Sequence, residues 1–125
     1  MKILCLIPAR SSSKGIKDKN IKLLNGKPLM AWTIEQAIKS KYDMKIIVST
    51  DSEEYAKIAK EWGAEVPFLR PKDISQDLST DIEFIKHSIN WLEKYENYKP
   101  DIIIQLRPTS PLRKVEDIDK TLDIF

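Results

Sequence analysis

Apolar positions along the 125 residues follow two rhythms: short unbroken runs, and stripes that recur every three or four positions. Ile3-Leu4-Cys5-Leu6-Ile7, bounded by Pro8, has the length and continuity of a strand buried on both faces. Lys45-Ile46-Ile47-Val48-Ser49-Thr50 and Asp101-Ile102-Ile103-Ile104-Gln105-Leu106 repeat the pattern. Helical stripes lie between them. Met30, Ile34, Ala37 and Ile38 predict a helix facing the sheet, with Pro28 in its first turn, where a missing N–H costs nothing, and an end near Ser40. Tyr55, Ile58, Ala59 and Trp62 predict a second helix, capped by Asp51 or Ser52 and stopped at Gly63. A third runs from about Asp81 to Tyr95 with Ile82, Ile85, Ile89 and Leu92 as its stripe, Phe84, Ser88 and Trp91 beside it, and Ser79 or Thr80 as its cap. Ile118, Leu122 and Phe125 mark a fourth that begins near Val115 or Glu116.

Two weaker signals complete the pattern. Ile21 to Leu24 is a brief extended piece closed by Asn25-Gly26, a pair that tolerates positive φ. Glu65 to Leu69 is a short strand interrupted by Pro67, which belongs at an edge or makes little pairing. Strands alternating with helices imply right-handed crossovers, hence an α/β fold: a Rossmann-like, mostly parallel sheet with helices on both faces. Ligands bind such sheets beyond the carboxyl ends of the strands, which is where the polar loops 8–20, 51–53 and 107–113 fall.

Composition narrows the picture. At 42% hydrophobic the chain can bury a core of its own as one domain. Its last helix ends on Leu122-Asp123-Ile124-Phe125, an apolar face expected to lack a partner, so the chain reads as the N-terminal part of something longer. Cys5 is the only cysteine and reads as core, so no disulfide framework is expected. The first apolar run is too short for a signal peptide or a membrane span, which makes the cytoplasm the default location.

The net charge of +2 is unevenly divided. Residues 1–27 carry seven Lys or Arg against Asp18 alone, a local +6, and the remainder carries a local −4. Arg10, Lys14, Lys17 and Lys19 crowd the loop after the first strand. A solvated charge run is the plain alternative, but such a loop at the carboxyl end of a buried strand repels itself unless it encloses an anion, most simply a polyphosphate. A nucleic-acid track would want basic residues spread along a face with aromatics between them, so neither nucleic acid nor membrane is expected as a partner. The loop is neither G-x-x-x-x-G-K-[ST] nor G-x-G-x-x-G, since the whole chain holds three glycines. Ser11 to Ser13 have no base beside them and suit donation to phosphate; His87 reads as a boundary residue, and Trp32, Trp62 and Trp91 as core or its margin.

The stretches Ile7-Pro8-Ala9-Arg10-Ser11-Ser12-Ser13-Lys14-Gly15, Lys19-Asn20, Asn25-Gly26-Lys27-Pro28-Leu29, Ile47-Val48-Ser49-Thr50-Asp51, Leu69-Arg70-Pro71 and Pro108-Thr109-Ser110-Pro111-Leu112-Arg113 carry a resemblance. In this order they resemble the acylneuraminate cytidylyltransferases, the synthetases of CMP-sialic and related nonulosonic acids, which have the fold of the nucleotide-diphospho-sugar transferases. The resemblance implies a reaction in which a nine-carbon 2-keto sugar acid attacks the α-phosphate of CTP, giving the CMP-sugar and pyrophosphate. It implies Arg10 and Lys19 on the phosphates, joined by Ser13 and Lys14, with Asn20 on the nucleotide or the loop. Arg70, Ser79 and Thr80 would border the cytidine, and backbone groups around Ala9 would read the base.

Gln105, Arg107, Thr109 and Ser110 fall to the sugar side. Arg107 stands where the family commonly has Gln, and it either receives the sugar's carboxylate or pairs with a helix acid. Sialic, legionaminic and pseudaminic acid stay open as substrates. Mg2+ is implied as cofactor, with its ligands and a homodimer segment in the second half of the family's chain. Asp51 is a ligand candidate here, though a helix cap is an equal role for it. Residues 1–125 would then be the nucleotide-binding part of a cytidylyltransferase domain. The alternatives are a nucleotidyltransferase for another sugar or nucleotide, and a non-catalytic nucleotide-binding fragment.

Overall fold

In a computed structural model, residues 1–10, 12–13, 16–17, 21–71, 81–108 and 114–124 are described. The organising element is β1 (Ile3–Pro8), an unbroken apolar run whose residues 3 to 7 are all buried. Such a run needs cover on both faces. It obtains it from a three-stranded parallel sheet in which β1 lies between β6 (Lys45–Ser49) and β7 (Ile102–Gln105). Ile3, Cys5 and Ile7 point to one face, where α1 (Leu29–Lys39), α2 (Glu53–Glu61) and α4 (Val115–Asp123) contribute Ile34, Tyr55, Ala59, Ile118 and Leu122 to the larger core. Leu4 and Leu6 point to the other and meet Phe84 and Leu92 of α3 (Asp81–Glu96). The expected layering, helices on both faces of a parallel sheet, is the one observed.

Two small antiparallel ribbons lie between β1 and α1. β2 (Ser12–Ser13) pairs with β3 (Ile16–Lys17), and β4 (Leu23–Leu24) with β5 (Lys27–Pro28). Asn25 and Gly26 turn the second ribbon with φ of 52° and 79°, the conformation that a two-residue hairpin requires. Glu65 makes a single parallel bridge to Ile47, so the segment interrupted by Pro67 is barely a strand, as Pro67 foretold.

Four expectations need correction. Pro28 is the N-cap of α1, not a residue of its first turn, because its ψ of 143° belongs to the ribbon it closes. Ile38 does not face the sheet: it is 51% exposed, with its tip against Gly63 after α2. The stripe of α3 runs through Phe84, Ser88 and Leu92, while Ile82 is 62% exposed. Only that phase sets residues at i, i+4 and i+8 over Leu4 and Leu6. Of the face expected to lack a partner, Leu122 is instead 2% exposed in the main core, whereas Ile124 is 81% exposed, as expected. Hydrogen bonds pin α4 to the chain just after α1: Ser40 Oγ and Lys41 N donate to Asp119, and Tyr42 Oη donates to Asp123.

Candidate functional site

The carboxyl ends of β6, β1 and β7 form one rim of the sheet, and the candidate residues are distributed along it. Past Pro8 the chain leaves β1 through Ala9, fully buried, whose N–H donates to Ser49 O at 2.9 Å. Arg10 follows, half-buried, with its Nη1 shut off from solvent. Beyond it Ser13 pairs opposite Ile16 and Ser12 opposite Lys17 in the ribbon of β2 and β3.

Not every cation of the first 27 residues belongs to this rim. Lys2 lies at the opposite, amino end of the sheet, where its N–H donates to Asp101 at 2.7 Å and its ammonium sits 5.4 Å from the Tyr98 ring. Lys27 is paired with Glu35 at 2.7 Å and lies over the Trp32 and Trp62 rings, at 4.2 and 5.5 Å. The positive field is therefore narrower than the sequence count implied.

At the end of β6, Ser49 and Thr50 are both fully buried. The 65–70 segment runs alongside: Glu65 N donates to Ile46 O at 2.9 Å and Arg70 N to Thr50 O at 2.7 Å. Arg70 is 6% exposed. Its Nε donates to Ser49 Oγ and its Nη2 to Ser49 O, both at 3.0 Å, and its guanidinium lies 4.8 Å from the Phe84 ring. Sequence reasoning singled out Arg70 but missed Ser49, whose signal is a hydroxyl residue at the inner end of an otherwise apolar strand. The helix cap also resolves here. Ser52 Oγ accepts from Tyr55 N at 3.2 Å, which gives the cap of α2 to Ser52 rather than Asp51.

On the other side of β1, Gln105 is half-buried opposite Leu6, and Leu106 N donates to Leu6 O at 3.0 Å. Arg107 is exposed, two residues beyond Gln105 and at the level of Pro8 in the register. The structure thus joins Ala9 and Arg70 through Ser49, with Arg10 next to Ala9 in the chain, and sets Gln105 and Arg107 across β1. Lys14, Lys19, Asn20, Ser79, Thr80, Thr109 and Ser110 lie outside the described residues. Among the described residues no group of three or more His, Cys, Asp or Glu could hold a metal ion, and no helix is long and apolar enough to cross a membrane. An open groove of about 640 Å³ lies elsewhere, between α2 and residues 66–69, lined by Ala56, Lys57, Lys60, Val66, Phe68 and Leu69.

Known proteins resemble this chain in sequence and in fold. The chain is 42% identical over 124 residues to an N-acylneuraminate cytidylyltransferase of Escherichia coli, an alignment that takes in 99% of this chain and 28% of that protein. It is 44% identical over 127 residues to a CMP-N,N'-diacetyllegionaminic acid synthase of Legionella pneumophila, covering 99% of this chain and 53% of the relative. A pseudaminic acid cytidylyltransferase of Campylobacter jejuni is 40% identical over 112 residues, 90% of this chain and 48% of that one. The chain therefore spans about half, or less, of the length of these relatives. Among solved structures, CMP:2-keto-3-deoxy-manno-octonic acid synthetase complexed with CTP superposes with a TM-score of 0.80 over 98% of this chain and 46% of its own, at 20% identity. A cytidylyltransferase from Leptospira borgpetersenii superposes at 0.73 over 100% of this chain and 49% of its own, at 24% identity. These two share the fold. The model of the family described as Cytidylyltransferase matches residues 4–124, and over nearly its whole length the chain belongs to that family.

Proposed function

We propose that this chain is the CTP-binding part of a nucleotidyltransferase that activates a nonulosonic acid, releasing pyrophosphate and forming the CMP-sugar. One observation carries the proposal: the chain is 40 to 44% identical to three proteins named for CMP transfer to three such acids. Because those names differ only in the sugar, the proposal specifies the class of acid and CTP as its activator. The parent enzyme is proposed to act in the cytoplasm as a homodimer.

The chemistry asks for little beyond positioning and charge. The anomeric hydroxyl of the sugar acid attacks the α-phosphorus, the α–β bridging bond breaks, and pyrophosphate departs with the electron pair. Arg10 and Lys19, with Lys14 and Ser13, hold the triphosphate and offset the charge that grows on the leaving group. Backbone groups at Ala9, with Arg70, Ser79 and Thr80, surround the base. Gln105, Arg107, Thr109 and Ser110 meet the sugar acid, with Arg107 suited to its carboxylate by a two-pronged ion pair. The implied Mg2+ would neutralise phosphate charge when bound. The described residues do not fit it, having no cluster of three candidate ligands, so its ligands are sought outside them.

Pyrophosphate release with CTP, UTP, GTP or ATP against a panel of nonulosonic acids tests the proposal, alongside calorimetric binding of each nucleotide. CTP alone is expected to bind tightly. CTP binding without turnover assigns the nucleotide half of the site to this chain, and failure to bind any nucleotide overturns the proposal.

A further inference from the structure

We infer that Arg70 is a positioning residue for the nucleotide loop, acting through Ser49 on the backbone of Ala9. The inference rests on the proposed function for its nucleotide half and on the coordinates for its mechanical half. Ser49 O accepts two hydrogen bonds, from Ala9 N at 2.9 Å and from Arg70 Nη2 at 3.0 Å. A carbonyl oxygen has two lone pairs, and these two donors use both. The direction in which Ser49 O points, and hence where Ala9 N–H is held, is therefore fixed from the Arg70 side. Nε fastens the same guanidinium to Ser49 Oγ at 3.0 Å, and the Phe84 ring lies 4.8 Å from it. A guanidinium presents several donors in one rigid plane, so gripping two oxygens of one residue fixes its rotation as well as its distance.

The energetics favour this role over packing alone. Arg70 is 6% exposed, and a buried charge costs several kcal/mol of desolvation that only good hydrogen bonds offset. A methionine would fill the space beside Phe84 without that cost. What it would not do is hold the carbonyl that anchors Ala9, immediately before Arg10. The backbone of Ala9 is the group proposed to read the base, so a small rotation here alters base recognition first.

Two variants of the full chain separate the possibilities. Arg70→Lys keeps the charge but replaces the rigid planar pair of donors with a freely rotating ammonium that does not fix the orientation of the two Ser49 oxygens; Ser49→Ala removes the Oγ anchor alone. The first readout is amide hydrogen exchange without nucleotide. Ala9 is expected to exchange roughly tenfold faster in Arg70→Lys, and less so in Ser49→Ala, while Leu4 and Leu6 keep their wild-type rates. The second is the ratio of CTP to UTP affinity, expected to fall roughly tenfold in Arg70→Lys and by a smaller factor in Ser49→Ala, a change that direct contact of Arg70 with the base would not produce, while affinity for inorganic triphosphate stays within about twofold. Unchanged Ala9 exchange overturns the strut, as does exchange rising equally at Ala9, Leu4 and Leu6, which marks general destabilisation. Parallel loss of CTP, UTP and triphosphate affinity overturns the positioning role in favour of direct phosphate contact. A wild-type chain that binds no CTP overturns the functional proposal and the nucleotide half of this one, and the exchange rate at Ala9 then decides the strut by itself.

Discussion

Arg10 sits immediately after the residue that ends the central strand's hydrogen bonding, with one guanidinium nitrogen enclosed by protein. A cation held this way loses little entropy when an anion arrives. Arg10→Ala is expected to weaken CTP binding roughly tenfold to a hundredfold, about 1.5 to 3 kcal/mol for hydrogen bonds to a charged group. Calorimetry on this chain measures it, with an unchanged circular dichroism spectrum showing that the fold persists. The position of Arg10 was legible because a buried strand followed by a basic loop allows few geometries. The contacts of Arg70 were not legible. Its partner Ser49 is 21 residues earlier, and nothing in local patterning links a serine in a strand to an arginine beyond the next helix. Lys27 misled in the opposite direction, since its neutralising partner Glu35 lies on a helix whose facing depends on the ribbon before it.

At the scale of elements, turn chemistry was read well and helix phase less well. Asn25-Gly26 announces its ribbon in two letters, because few other pairs accept positive φ in succession. Gly26→Ala meets no atom within 4 Å, so its cost is conformational alone, about 1 to 2 kcal/mol for an L residue in the left-handed region. Urea unfolding should give that value. On α3 apolar side chains occupy so much of the circumference that periodicity admits two stripes, and packing against Leu4 and Leu6 chooses between them. Leu92, fully buried, should lose about 2 to 5 kcal/mol on truncation to Ala. Ile82→Ala, on the exposed side, should change stability by about 0.5 kcal/mol or less. Equal effects in denaturant titrations of the two variants would put the helix in the phase that the sequence first indicated. Ile38 was misplaced for the same reason: beside Ala37, which is buried in the core, it falls on the outer side of α1 and its tip meets Gly63.

Across the whole molecule the two ends of the sheet divide their work. The carboxyl end gathers the candidate ligand-binding groups, whereas the amino end is closed by Lys45, which reaches Glu65 at 3.1 Å and Glu96 at 3.0 Å and lies 5.3 Å from the Tyr98 ring. Burial pulls the Lys45 pKa down, but hydrogen bonds to Glu96 and Glu65 outweigh it and raise the group above a lysine's usual 10.5. Burial raises Tyr98 as well, from 10.0. Both groups hold their protons more firmly in the folded chain than in the unfolded one. The stability they add is complete below their unfolded values and is lost as pH climbs through the folded ones. The thermal midpoint should therefore be level near neutrality and fall above about pH 10, and Lys45→Met should fall less steeply than wild type. Parallel sheets also impose an order of events. Within the parallel sheet β1 is synthesised before both its partners, which begin at residues 45 and 102, and neither is adjacent to it in the chain. At roughly 5 to 20 residues per second of synthesis, the nascent Ile3–Ile7 run waits several seconds for its second neighbour. A ribosome slowed between the stretches that encode β6 and β7 would prolong the exposure of this sticky segment, so chaperone demand in the cell should depend on translation speed through that stretch.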